Sequence, residues 1–325
     1  MRRPASPTLI ALLLSLALPA LAEEAASPAD STAPTPPEQS EEPQRLPLEE
    51  RSADSAEALE RQLPKGEQQM LQAEGSRFLA LWKAANAPEA KGVVILIPGA
   101  NETADWPLAI NPLRSKLPDI GWSSLSLSLP DSPQEPLPEA VLPRAPEPIT
   151  VDTAASATEA GAEAEDETEA EAAPAEPTTE APAAPPMDPA QRVFARIDAG
   201  IAFAEQQDAK HLVLLGHGAG AYWAALYLKE RKPERIARLA VVAPQLPGGQ
   251  TPPLDELIPN LELATGDFFY KDQGSERSAA ARRMQASKRL GHDGYTQVAL
   301  QALPGNREAE QEQLFRRVRG WLEKQ

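Results

Sequence analysis

The chain has 325 residues, a formal net charge of −17 at pH 7 and no cysteine. It therefore has no disulfide, no thiolate metal site, no nucleophilic thiol and no lipid-modified cysteine. The acidity sits in two stretches, with 15 acidic residues against Arg144 alone between Asp131 and Asp188, and eight against Arg45 alone from Glu23 to Glu50. The rest is close to neutral, which excludes the basic footprint of a nucleic-acid binder.

Residues Met1 to Ala22 open with Arg2 and Arg3, continue through an apolar run from Leu9 to Leu18 and end Ala20-Leu21-Ala22. A short basic start, an apolar stretch well under the roughly 20 residues of a bilayer span and a small-x-small ending predict a Sec-type signal peptide cleaved near Ala22. The mature protein is then expected in the periplasm or outside the cell, with no stable membrane anchor. Residues 23–57, rich in Pro and Glu, are expected to be a disordered linker.

A weak helical pattern of Leu59, Leu63 and Met70, interrupted by Pro64 and Gly66, opens the domain expected over 58–325. Phe78 to Trp82 reads as a strand. Val93 to Ile97 is apolar throughout, as in a central parallel strand covered on both faces, and the alternating Trp122–Leu129 is a further strand. Residues 131–187 then lose almost every residue with which to build a core and are expected to form a disordered Ala/Glu/Pro-rich insertion. Asp188-Pro189 reads as an N-cap followed by proline at the first helical position. Val193, Ile197, Ile201 and Ala204 mark one face of the helix that follows.

The most informative stretch is HLVLLGHGAGAYWAALYL, from His211 to Leu228. A buried strand, a glycine-punctuated turn (Gly216, His217, Gly218, Ala219, Gly220) and a helix follow in immediate succession. Strands at Arg238–Ala243, Leu261–Thr265 and Tyr295–Leu300, a basic helix over Ser278–Leu290 and an amphipathic helix with Leu314, Val318, Trp321 and Leu322 complete the chain. Strands alternating with helices predict an α/β fold, a mostly parallel central sheet with helices on both faces.

The strand–turn–helix resembles the nucleophile elbow, G-x-S-x-G, of the α/β-hydrolase fold, and the resemblance runs from about Phe78 to Leu322. More narrowly, the secretory leader, FLALW before VVILIPG, and LLGHGAGAYWAALYL resemble an exported Gram-negative family that is α/β-hydrolase-like and of unknown function. The resemblance implies acyl transfer by a serine, a histidine and a carboxylate. Gly218 stands where the serine belongs. Asp267, expected just after the 261–265 strand, and Asp272 are the candidate acids. The loop after the last strand, Leu303 to Arg307, has no histidine, so His292 is the candidate displaced base, while His217 holds the elbow's x position and His211 begins a strand. Ala100, Asn101 and Ala219 are expected to offer backbone N–H groups as an oxyanion-like cradle, with Trp106 and Trp122 as candidate pocket walls.

Two losses, at Gly218 and in the last loop, favour a degenerate elbow and a binding or scaffolding module (a pseudoenzyme) for an unknown small-molecule or protein ligand. No metal or cofactor is indicated. The alternative is an esterase with a displaced nucleophile from Ser123, Ser124, Ser126 or Ser128. A third reading assigns envelope interactions to the acidic insertion.

Overall fold

The computed structural model describes residues 51–131 and 188–324. The expected leader, most of the expected linker and nearly all of the insertion lie outside the described residues. Eight strands form one sheet: β1 (Gln68–Ala73), β2 (Ser76–Lys83), β3 (Gly92–Ile97), β4 (Trp122–Leu127), β5 (Leu212–His217), β6 (Ile236–Val242), β7 (Ala264–Tyr270) and β8 (Tyr295–Leu300). Their order is β1-β2-β4-β3-β5-β6-β7-β8, with β1 and β2 antiparallel to their neighbours and the six from β4 to β8 parallel. Every residue of β3 is buried, because helices cover both faces of the sheet.

Alternation along β5 and β3 sends side chains to two cores. On one face Val93, Ile95, Leu212 and Leu214 pack with α3 (Pro189–Gln206) and α4 (Ala219–Arg231). On the other, Val94, Leu96, Val213 and Leu215 pack with α2 (Ile110–Lys116) and α7 (Arg307–Glu323). A short α5 (Leu254–Leu257) packs against α6 (Gly274–Leu290), which lies on β7. Asp188 caps α3 through its side chain, with Pro189 at the first position, a match of local chemistry to element.

Three expectations are corrected. Helix α1 (Arg51–Gln62) begins inside the stretch assigned to the linker. Met70 lies in β1, not in a helix: Pro64 ends the helical run, and Glu74-Gly75, both at positive φ, close a two-residue hairpin to β2. The strand expected over Leu261–Thr265 is instead β7, Ala264–Tyr270. The aspartate at its centre hid it from a pattern of alternating polarity.

Candidate functional site

In a parallel sheet flanked by helices, functional groups gather beyond the carboxyl ends of the strands. β5 delivers the elbow there. Gly218 holds φ 53° and ψ −123° between β5 and α4, a strained conformation that glycine adopts at low cost. Its N–H donates to the Val242 carbonyl and its own carbonyl accepts from Gln245 N–H, both at 3.0 Å, which ties the turn to the end of β6.

The three glycines of the turn have different reasons to be glycine. A Cβ on Gly216 would lie 2.4 Å from the Ala221 Cα, and one on Gly220 would lie 2.2 Å from the carbonyl oxygens of Ile97 and Pro98. Close helix–strand packing leaves no room at either. A Cβ on Gly218 would meet nothing nearer than the Gly99 Cα at 3.7 Å. The middle position is spatially open, so packing does not account for the missing serine. Gly218→Ser is expected to fold, with a stability loss of about 1–3 kcal/mol from the left-handed backbone, read as a small drop in the thermal midpoint by circular dichroism.

Ala100, Asn101 and Ala219 stand at the carboxyl ends of β3 and β5, and none of their N–H groups has an acceptor among the described residues. Asn101 adopts φ 64°. Two residues that sequence reasoning missed brace this region. Glu102 folds back so that its Oε2 accepts from Gly99 N–H at 2.6 Å and meets His217 Nδ1 at 2.8 Å. A carboxylate that already accepts one N–H leaves the proton of the second contact on Nδ1. His217 and Glu102 remain 14% and 12% exposed. Glu276, at the start of α6, accepts Tyr270 N–H at 2.8 Å and lies close enough to His217 for their charges to interact. Burial pushes its carboxyl above the ordinary glutamate range, and the Tyr270 bond, Arg283 and His217 pull the other way. Glu102 had a sequence signal, directly following the Pro98–Asn101 loop; Glu276, in a helix far along the chain, had none.

The candidate triad members do not assemble. Asp267 is in the middle of β7, fully buried, and not after a strand as expected. Arg283 grips both its oxygens, at 2.8 and 3.0 Å, and Gln297 Nε2 at 2.9 Å and the Tyr295 hydroxyl also donate to it. Burial, then the Asp267 carboxylate, hold the Tyr295 phenol well above its ordinary range. Asp272, in the loop after β7, is engaged by Ala302 N–H at 3.0 Å. In the loop beyond, Asn306 serves as the side-chain cap of α7.

His292 precedes β8, at the amino edge of the sheet, where its Nε2 contacts the Leu263 carbonyl at 2.9 Å. The elbow lies at the opposite edge, about 20 Å away along a six-residue strand, so a displaced-base role for His292 does not fit the geometry. His211 is also at the amino edge, its carbonyl accepting from Val93 N–H at 2.8 Å. In β4, Ser123 accepts from Ala85 N–H, Ser124 donates to the Arg114 carbonyl and the Ser126 hydroxyl is buried without a partner. None of them, nor Ser128, is hydrogen-bonded to a histidine. Trp122 starts β4 at the amino edge, and Trp106 packs against the second core. Among the described residues no three His, Asp or Glu side chains converge as metal ligands, and no helix is long and apolar enough to cross a membrane.

Sheet order, flanking helices and the elbow turn define an α/β-hydrolase-fold protein. Two solved structures of that fold are similar in shape. The esterase Pf2001 of Pyrococcus furiosus has a TM-score of 0.52 at 10% identity, over 79% of this chain and 90% of that one. Est1E from Butyrivibrio proteoclasticus has 0.50 at 10% identity, over 78% and 98%. At that identity they speak for the fold alone. The chain belongs to the family described as "Protein of unknown function (DUF3530)", whose model matches residues 7–324. No curated protein matches it.

Proposed function

We propose that this is an exported binding or scaffolding module on an α/β-hydrolase frame, one that forms no acyl-enzyme. The observation that carries the reading is Gly218: the turn keeps its backbone geometry and has room for a side chain, yet offers no oxygen to acylate. The surroundings support it. The carboxylate after β7 takes a backbone N–H, and the loop after β8 contributes a helix cap where a hydrolase needs its base. What remains is a pair of backbone N–H donors from Ala100 and Ala219 beside a braced imidazole, an arrangement suited to holding a carbonyl or carboxyl group of a ligand. Export rests on the basic start, short apolar run and Ala20-Leu21-Ala22 ending of the leader.

The esterases of similar shape make serine hydrolysis the rival, and one experiment separates the two. The protein is purified from a periplasmic extract, its amino terminus is sequenced and it is treated with a fluorophosphonate probe. A terminus near Glu23 and no labelled serine are expected. A labelled serine on the folded protein would overturn the binding-module reading and identify the nucleophile by peptide mapping; recovery of the protein in the cytoplasmic fraction alone would overturn export.

A further inference from the structure

Helix α1 touches the cradle loop at one end and is anchored elsewhere at the other. At its start, Arg51 Nη2 donates to Asn101 Oδ1 at 2.7 Å and Nη1 to the Asn101 carbonyl at 3.4 Å. Ser52 N–H donates to Asp131 Oδ2 at 3.2 Å, capping the helix from four residues beyond β4. At its other end, Gln68 of β1 donates through Nε2 to the Glu60 and Leu63 carbonyls at 2.9 and 2.8 Å. Between these ties no residue of α1 is fully buried, and among the described residues Ala56, Leu59 and nearby Leu63 pack against Leu79, Leu81 and Ala104. Beneath the first turn lies a cavity of about 30 Å³, whose walls include Arg51, Asn101, Glu102, Ser128, Asp131 and Trp223.

We propose that α1 is a hinged strap over the Gly99–Thr103 loop: docked, it clamps Asn101 and closes the cavity beside that loop, and released at Arg51, it opens that side to a ligand. The energetics favour release from that end. A twelve-residue helix is marginal without tertiary support, and segments with few buried apolar contacts open locally well below the global unfolding free energy. The Arg51 and Ser52 bonds tie the first turn to the loop and to Asp131 beyond β4, whereas Gln68 sits in a paired strand and keeps the last turn in place. Asn101 couples strap to cradle because its left-handed backbone is held by the same guanidinium that anchors the helix.

The inference concerns regulation of the site assigned above and rests on that reading, but its test reads amide exchange, not labelling, so either can fail alone. Hydrogen–deuterium exchange is followed by mass spectrometry on the mature protein and on the Arg51→Ala/Asp131→Ala variant. The three hydrogen bonds this variant removes, at exposed and half-buried positions, correspond to roughly tenfold in the opening equilibrium. Exchange in peptides spanning 51–60 and 100–104 is expected to rise together by about that factor, with 212–228 unchanged. Unchanged exchange in 51–60 would overturn the strap, and faster exchange in 51–60 alone would overturn its coupling to the cradle. A uniform rise across the domain would show that the ties support the fold as a whole and would equally overturn the proposal.

Discussion

Gly220→Ala is expected to cost about 3 kcal/mol or more of folding stability, roughly 10 °C in thermal midpoint for a domain of this size. The added Cβ would sit 2.2 Å from the carbonyl oxygens of Ile97 and Pro98. Both are backbone atoms at the end of the central strand, so no side chain can turn aside to relieve the collision. Either α4 moves off the sheet or the loop leading to Ala100 and Asn101 shifts, and the two arms of the cradle separate. Urea titration measures the loss, and Gly320→Ala in α7 is the matched control because its Cβ enters open space on an ordinary helical backbone. A Gly220→Ala variant as stable as the Gly320→Ala variant would show that helix and strand do not approach as closely as the structure has them.

The second large effect lies in the buried charge at the centre of β7. Removing the guanidinium in Arg283→Met leaves the Asp267 carboxylate, fully buried, with only the neutral donors of Tyr295 and Gln297. Breaking a buried pair from one side costs about 3–5 kcal/mol, because the surviving charge has neither water nor an opposite charge beside it. The double replacement Asp267→Leu/Arg283→Met is expected to recover most of that, since paired removal takes away the desolvation cost along with the attraction. It stops short of full recovery because the Tyr295 hydroxyl loses its acceptor. Denaturation of the two single variants and the double variant gives the coupling directly. A loss in the double variant equal to the sum of the two single losses would show that the pair is not coupled. The same measurement separates a structural aspartate from a catalytic one, because a group already holding an arginine through both oxygens is not free to orient an imidazole.

Much of the fold was legible because its strongest signals are local. Val93–Ile97 and Leu212–Leu215 are apolar without interruption, as only strands covered on both faces can be, and Gly216 to Gly220 announce a sharp turn into a helix. From these the mostly parallel sheet follows, and the resemblance of the turn to the nucleophile elbow implies the α/β-hydrolase class. The elements that escaped are those whose stability comes from elsewhere. β1 is a Gln-rich edge strand formed by hairpin pairing with β2. β7 carries a charged residue at its centre, which reads as a break until Arg283, sixteen residues on, is seen to neutralise it.

The candidate site divides along the same line. Sequence alone establishes that the elbow has no serine and that no histidine follows His292, since these are facts of residue identity. Which carboxylate faces which loop, and which histidine lies at which edge, depends on strand direction and on where each strand ends. Moving the end of β7 from Thr265 to Tyr270 carries Asp267 from a loop into the core and leaves Asp272 in the loop. The brace of Glu102 on His217 and the tie of Arg51 to Asn101 join residues 115 and 50 positions apart. No periodicity encodes such pairs, because they arise when β3, β5 and α1 are brought together by burial of their apolar faces. Residue identity determined what this elbow lacks; tertiary packing decided what stands around it.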